Sequence, residues 1–242
     1  MSNNNPIQSL WVGSILSPME ILCINSYLAS GHEFHLYSYN KGINAPTGAV
    51  IKDANEIIPE KDIFVDSFGS YANFANKFRL TLLYKLGGWW VDMDTVCLKP
   101  FDFEAEYVFS SEYINHYNRC GLVNNTYIKS KPGAKFLKDC LDFTSIRGYE
   151  HIHWGEMGIT LLSRMVFRNG LEQYIQYPDC FCPVSYFHLE QLIGDTTCSL
   201  PESSYAVHWW HEIWRRKGVD KNAKFPENSL YEILKKKYIT HD

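Results

Sequence analysis

Two aspartates separated by one residue, Asp92 and Asp94, follow an apolar run and are the first candidates for chemistry in this chain. On an extended strand, residues two apart point to the same side, which would place the carboxylates roughly 6.5–7 Å apart. Carboxylates that close repel one another unless a positive charge lies beside them. Mg²⁺ and Mn²⁺ take oxygen ligands and often keep positions open for phosphate oxygens. The pair is compatible with a divalent-cation site, but taken alone it fits two solvated aspartates at a strand end better, so its sequence context must decide.

The residues before this pair predict the elements that carry it. A helix is expected over about 71–86, and Gly87-Gly88 would end it. Its apolar face repeats every four residues, at Phe74, Phe78, Leu82 and Leu86. A strand is then expected from Trp89 to Val96, with the aspartates toward its carboxyl end, which is where ligands bind in open α/β sheets.

The rest of the chain alternates strand and helix patterns, which predicts an α/β fold with a parallel sheet. Residues 7–13 form the first predicted strand, and a helix begins at Ser17-Pro18-Met19-Glu20 and stops near Gly31. A strand over Glu33–Tyr39 completes a βαβ unit, and residues 40–70 form a looser stretch. Further strands are predicted near Tyr107–Ser111 and Gly121–Lys129, and further helices near Pro132–Phe143, Glu156–Phe167 and Asn228–Tyr238.

Composition excludes several classes of protein. The formal charge of −4, from 23 basic and 27 acidic residues, lacks the basic footprint of a nucleic-acid-binding protein. No signal peptide and no membrane span is visible, so we expect a cytoplasmic protein with at most peripheral membrane contact. The cysteines have no repeated spacing, which favours reduced thiols over disulfides, and Cys180 and Cys182 fit core thiols better than a metal pair.

The segment from Phe74 to Phe101, FANKFRLTLLYKLGGWWVDMDTVCLKPF, resembles a known family. It is similar to the nucleotide-sugar-binding region of bacterial capsular-type glycosyltransferases with an Asp-x-Asp motif, grouped as glycosyltransferase family thirty-two. The family pattern is matched at Arg79, Gly87, Gly88, Asp92 and Asp94. Asn76 stands where the family often has Asp.

Weaker similarities extend over most of the chain. Met157 and Ile159 replace the Thr and Pro of one family segment, and Ile213 replaces a Ser of another. The similar segments are Trp11 on the first strand, Asn124-Asn125, Ser130-Lys131-Pro132-Gly133, Met157 to Leu162, Phe181-Cys182-Pro183, and His208 to Trp214.

The resemblance implies a GT-A fold with a Rossmann-like sheet in a single domain over residues 1–242. About 1–100 would bind the nucleotide sugar, and about 101–242 would form the acceptor half. The implied activity is a cation-dependent, retaining transfer of a hexose from a nucleotide sugar, UDP- rather than GDP-linked, to a glycan or lipid-linked acceptor in polysaccharide biosynthesis. Family members of the Golgi carry an N-terminal membrane segment. Because this chain starts its first strand near residue 7, we expect a bacterial or viral enzyme in the cytosol.

The resemblance also implies roles for individual residues. Asp94 would be a direct metal ligand, Asp92 would be shared between metal and sugar or ribose hydroxyls, and His208 would be a third ligand. An imidazole favours Mn²⁺ over Mg²⁺. The remaining donor-binding candidates are Trp11 near the base, Asn76 and Arg79 at the sugar, Gly88, and Trp214, whose indole N–H would donate to a phosphate or simply pack in the core.

The catalytic candidates form a larger set. Asp92 and Arg79 are expected at the reacting sugar, while Asn124, Asn125 and Glu156 compete for the place near the anomeric carbon. His211 is a weaker ligand candidate than His208, and the loops around 113–120 and 179–204 would set the acceptor.

Two alternatives stay open. The departures at Asn76, Met157 and Ile213 are compatible with a non-catalytic module that binds a nucleotide sugar or a glycan. A glycoside hydrolase would need a carboxylic acid of raised pKa with a partner carboxylate 5–10 Å away, roughly the range for such enzymes.

Overall fold

The computed structural model describes residues 6–67, 69–114, 120–147, 155–196 and 198–239. The strands are β1 (Ile7–Trp11), β2 (Phe34–Ser38), β3 (Val50–Asp53), β4 (Gly88–Val91), β5 (Thr95–Cys97), β6 (Val108–Tyr113), β7 (Cys120–Ser130) and β8 (Ala206–His208). Six of them form one sheet in the order β3-β2-β1-β4-β7-β6, and β5 pairs with β8 in a second, two-stranded sheet.

Helices cover both faces of the larger sheet. They are α1 (Pro18–Ala29), α2 (Ala72–Leu86), α3 (Lys135–Arg147), α4 (Leu161–Arg168), α5 (Pro178–Phe181), α6 (Glu190–Ile193), α7 (His211–Arg216) and α8 (Leu230–Tyr238). A π-helical turn, Glu156–Thr160, leads into α4, so the predicted helix over 156–167 is only partly α-helical. None of the helices in the described part of the chain is long and apolar enough to cross a bilayer.

The predicted βαβ unit is confirmed. β1 and β2 pair in parallel from Ile7↔Phe34 to Trp11↔Ser38, and β3 and β4 extend the parallel part of the sheet. β7 and β6 then pair antiparallel at the other edge. β3 was missed in the looser stretch over 40–70, since a four-residue edge strand is too short to show a period.

The predicted strand from Trp89 to Val96 is wrong in its second half. β4 ends at Val91, the chain bends at Asp92–Asp94, and Thr95 starts β5 in the smaller sheet. The bend is held by the Asp92 N–H, which donates to Thr126 O at 3.1 Å, and by the Thr95 hydroxyl, which donates to Asp92 O at 2.8 Å. The two aspartates therefore do not share one face of a strand.

Adjacent tryptophans on β4 belong to different cores because successive strand residues point to opposite faces. Trp89 packs with Phe101 and Phe181 on the face that carries α1 and α8, and Trp90 packs with Phe78 of α2 on the other. The predicted core positions on α2 are buried except Leu86.

Leu86 is 53% exposed because it ends α2, where the chain turns away at Gly87. Gly87 has φ 66°, and a Cβ there would lie 2.6 Å from Pro132 Cδ. Only glycine suits this turn, which delivers the chain into β4.

Candidate active site

A cavity of about 380 Å³ opens at the carboxyl ends of β1 and β4. From β1 the chain continues to β2 and β3 on one side of the sheet, whereas β4 lies on the other. Ligands of open α/β sheets bind at such a switch point. Trp11 ends β1 and lines the cavity, and Asp92 and Asp94 follow β4 and line it too. The expected place of the aspartates is confirmed, although the strand geometry behind that expectation was not.

Asp92 is held by two donors on one oxygen. Its Oδ1 lies 2.9 Å from Arg79 Nη2 and accepts the Trp90 indole N–H at 2.8 Å. Arg79 is buried, donates from Nη1 to Asn125 O, and lies 5.0 Å from the Trp90 ring centre. Burial raises the pKa of Asp92, and the adjacent guanidinium opposes this rise. Arg79 therefore neutralises and orients Asp92.

Asp94 is held by the segment that follows β8. Its Oδ2 accepts the His211 backbone N–H at 2.8 Å and lies 3.2 Å from His208 Nε2. Burial alone would raise the pKa of Asp94, but His208 and the bond from His211 outweigh it and hold that pKa well below its usual range. The pKa of His208 is raised, because Asp94 outweighs the burial that would lower it.

Asp92, Asp94 and His208 form a potential ligand set, with one ligand atom from each lying within 4.8 Å of the others. Thr126 Oγ1 lies 3.5 Å from His208 Nδ1, which leaves Nε2 directed at Asp94. We call these three residues and Arg79 the aspartate side of the cavity. Carboxylate oxygens with one imidazole suit a small divalent cation.

A bulge in β7 brings three consecutive residues to the cavity. Phe109 pairs with Ile128 but Ser110 pairs with Asn124, so β7 bulges over the residues between. The Ser110 hydroxyl donates to Asn124 O, and Asn124, Asn125 and Thr126 all line the cavity. Bulges next to active sites commonly aim side chains in this way. The sequence showed the asparagines but not the bulge.

Asn76 is not part of the cavity wall. It is buried behind Asn125, whose Nδ2 donates to Asn76 Oδ1 at 2.7 Å. A Cβ at Gly158 would lie 2.8 Å from Asn125 Nδ2, so only glycine lets the π-helical turn approach this pair. Asn76 therefore acts on Asn125, not on the cavity itself.

Glu112 is a cavity residue that the sequence reasoning missed. Glu112 on β6 is 7% exposed, lines the cavity and accepts a hydrogen bond from Asn124 Nδ2. Tyr186 and Trp210 also line the cavity, with ring centres 5.5 Å apart. We call Glu112, Asn124, Tyr186 and Trp210 the glutamate side of the cavity. The available signal was an acidic residue directly after a predicted strand, Tyr107–Ser111, the same pattern that singled out Asp92.

Besides Asn76, three predicted site residues lie away from the cavity wall. Gly88 starts β4, and Glu156 Oε1 lies 3.5 Å from Arg147 Nε outside the lining. Trp214 is fully buried against Phe225 and Tyr231, and its indole N–H has no hydrogen-bond partner in the described structure. Trp214 therefore packs in the core, as the second of its two predicted roles described.

The cysteines and the acceptor loops complete the comparison with the sequence. Cys180 and Cys182 are free thiols and join no potential metal-ligand group among the residues the structure describes. His211 lines the cavity, as does Tyr186 from the second predicted acceptor loop. Residues 115–119 of the first predicted loop lie outside the described residues.

Known proteins resemble both the sequence and the fold. Residues 18–117 match the family described as a glycosyltransferase sugar-binding region containing a DXD motif. The chain is 25% identical over 150 residues to human alpha-1,4-N-acetylglucosaminyltransferase, an alignment that covers 56% of this chain and 41% of that protein. It therefore spans less than half the length of this relative.

Solved structures of two transferases align with this chain. The PaToxG glycosyltransferase superposes with a TM-score of 0.50 at 17% identity, over 69% of each chain. A transferase mutant gives a TM-score of 0.45 at 11% identity, over 70% of this chain and 86% of the other. The first of these supports the expected GT-A-like α/β fold.

The family implies a divalent cation, and Asp92, Asp94 and His208 provide a ligand set for one. Residues 18–117 therefore match a glycosyltransferase sugar-binding region containing a DXD motif, and the chain has a GT-A-like α/β fold.

Proposed function

We propose that this protein transfers a hexose, with retention of anomeric configuration, from a nucleoside-diphosphate sugar to a hydroxyl of a glycan or lipid-linked acceptor. Residues of about 1–100 would bind the donor, and about 101–242 would bind the acceptor. The observation that carries the proposal is the Asp92–Asp94–His208 group on the wall of a cavity at the switch point of the sheet.

The charge balance of the cavity supports a bound cation. Three of its acidic residues are paired with lysine or arginine: Glu20 with Lys221 at 2.6 Å, Asp92 with Arg79, and Glu212 with arginines of α7. Among the described residues Asp94 has no lysine or arginine within ion-pair distance, and its partners are His208 and the His211 N–H. With His208 neutral, a diphosphate approaching Asp94 would therefore meet negative charge that a cation would offset.

Asp92, Asp94 and His208 would hold the cation, and the imidazole favours Mn²⁺ over Mg²⁺. When bound, the cation supplies Lewis-acid stabilisation of the charge that develops on the leaving diphosphate. His208 must then present a neutral Nε2, and Thr126 at Nδ1 is placed to keep the ring in that tautomer.

Trp11 is suited to bind the base of the nucleotide. Its indole N–H donates to Ile15 O at 3.1 Å, and Lys221 Nζ lies 5.2 Å from the ring centre. Lys221 is in turn fixed by buried Glu20. The ring is thereby held rigidly at the cavity edge, where a base can stack on it.

At the reacting sugar, Arg79 keeps Asp92 oriented, and Asn124 and Asn125 present amide groups from the β7 bulge. Glu156 lies outside the cavity lining, which favours an asparagine as the group near the anomeric carbon. Retention is inferred from the family resemblance and can be read directly from the anomeric configuration of the product by NMR.

The experiment is a panel of UDP-N-acetylglucosamine, UDP-galactose, UDP-glucose and GDP-mannose, assayed by calorimetry and nucleotide release with Mn²⁺, with Mg²⁺ and with EDTA. The name of the human relative makes UDP-N-acetylglucosamine the first donor to test. We expect binding and slow hydrolysis of one donor with Mn²⁺, weaker effects with Mg²⁺ and none with EDTA. Absence of binding to every donor with Mn²⁺ present would contradict the proposal.

A non-catalytic binding module is the second candidate. It is favoured by Asn76, which occupies a position expected to contact the sugar yet lies behind Asn125. Tight, metal-dependent binding of a donor without any product over hours would establish this alternative.

A further inference from the structure

Glu112 differs from the other acidic side chains of the cavity in having no lysine, arginine or histidine within ion-pair distance among the described residues. Its Oε2 accepts from Asn124 Nδ2, and Oε1 has no hydrogen bond to any residue that the structure describes. Oε1 keeps some solvent-accessible surface, and because Glu112 lines the cavity, this oxygen faces the cavity. A carboxylate oxygen in this position is available to a ligand.

Asn124 is held through both polar atoms of its amide, which fixes the direction of the Glu112 carboxylate. Its Nδ2 donates to Glu112, and its Oδ1 accepts the Thr126 N–H at 2.7 Å. Because Thr126 is also held by the bend at Asp92, Glu112 is tied to the same framework as the aspartates. The free oxygen is therefore presented rigidly, as recognition of a specific group requires.

Aromatic rings flank the carboxylate. Trp210 donates its indole N–H to Val184 O at 2.9 Å and lies 4.0 Å from the His208 ring centre. It has φ 60°, unusual for a residue other than glycine and common at binding sites. Tyr186 lies beside it. Flat apolar rings beside a hydrogen-bond acceptor match a sugar, which has apolar C–H faces and hydroxyl edges.

We propose that the glutamate side of the cavity binds a hexopyranose, with Glu112 Oε1 accepting a hydrogen bond from one sugar hydroxyl. This inference extends the proposed function by assigning a binding residue and a ligand chemistry to this side. The hydroxyl belongs either to the acceptor or to the transferred sugar.

The test uses Glu112→Gln, which can keep the bond from Asn124 through its carbonyl oxygen but turns an NH₂ donor toward the cavity. Glu106→Gln is the matched control, because Glu106 is exposed and paired with Lys131. One arm measures the affinities for UDP and UDP-N-acetylglucosamine with Mn²⁺ by calorimetry. The other measures binding and initial transfer rates with p-nitrophenyl glycosides of galactose, glucose, N-acetylglucosamine and mannose.

We expect the KM for a glycoside acceptor to rise about tenfold in Glu112→Gln, as loss of a charged hydrogen bond implies, with both nucleotide affinities kept. A comparable loss of affinity for UDP-N-acetylglucosamine, but not for UDP, would support the proposal and assign the hydroxyl to the transferred sugar. The proposal is overturned if Glu112→Gln matches the wild type both in its nucleotide affinities and in its glycoside binding and transfer rates. The same holds if no glycoside serves as an acceptor and the affinities are unchanged.

Failure of the proposed function gives a different pattern. If the wild type binds no nucleotide sugar, the glycosides alone decide: their binding must weaken about tenfold in Glu112→Gln, and unchanged or absent binding overturns the inference. Thermal unfolding of each variant checks folding. If Glu112→Gln does not fold, Glu112→Asp, which withdraws the carboxylate by one methylene, replaces it with the same expected direction.

Discussion

On the aspartate side of the cavity every carboxylate is fixed by two donors, whereas on the glutamate side Glu112 is fixed by one. Arg79 and Trp90 hold Asp92, and His208 and the His211 N–H hold Asp94. In the described part of the chain, Asn124 alone donates to Glu112. The side whose carboxylates are each oriented by two donors is preorganised for a cation, and the side whose carboxylate is oriented by one is suited to a substrate that supplies a second donor.

Removing Asp94 is expected to have the largest effect. Asp94→Ala should lower Mn²⁺-dependent turnover of the donor about 10²–10³-fold, the usual result of deleting an electrostatic group at the reacting centre. The measurement is nucleotide release at saturating donor. Asp142→Asn on the exposed face of α3 is the control and should match the wild type. Retention of a tenth or more of the activity by Asp94→Ala would remove the aspartate side from the chemistry.

Breaking the Arg79–Asp92 pair tests whether the aspartate side is also structural. Arg79→Met keeps the length of the side chain but leaves Asp92 without its cation, a change that typically costs 3–5 kcal/mol in a buried pair. Because the Asp92 side chain is 24% exposed, we expect about 3 kcal/mol in the free energy of unfolding, measured with denaturant. Arg79→Met/Asp92→Asn should recover part of the loss. A loss below about 1 kcal/mol would show that water solvates Asp92 adequately.

Thr126 connects the two sides and offers a milder test. Thr126→Val removes the hydroxyl at His208 Nδ1 while keeping its shape, and should weaken Mn²⁺ binding about tenfold, as loss of an outer-shell partner does. Free Mn²⁺ can be followed by electron paramagnetic resonance. Thr126→Ser retains the hydroxyl and should behave like the wild type. Equal Mn²⁺ affinities for the valine and serine variants would rule out this positioning role.

The smallest effect expected is the pH dependence of the metal-free protein. The pKa of His208 is raised in the folded state, so its pairing with Asp94 stabilises the fold below the ordinary histidine pKa of about 6.5. That contribution is lost as the pH rises through the folded pKa. With EDTA present, the wild type should therefore lose more unfolding free energy than His208→Gln between pH 6 and 9. Parallel curves for the two proteins would mean that His208 carries no such charge.

Local patterns predicted much of the fold and part of the site. The βαβ unit, α2 and the position of the aspartates followed from periodicity, capping residues and Gly87-Gly88, which act over a few residues. The spacing of Asp92 and Asp94 on one strand was predicted wrongly because β4 ends where its pairing with β7 ends, and pairing is not a local property. The predicted burial of Leu86 was wrong for a related reason, since the period of apolar residues does not show where a helix leaves the core.

The sequence by itself determined the α/β class, the DXD pair and the set of side chains able to bind a cation. Only the tertiary structure decided how these side chains meet. It brought His208 to Asp94 across 114 residues, opened the β7 bulge toward the cavity, moved Asn76 and Trp214 off its wall and added Glu112. Composition and short spacings act along the chain, whereas burial, pairing and charge compensation depend on which distant segments share one volume.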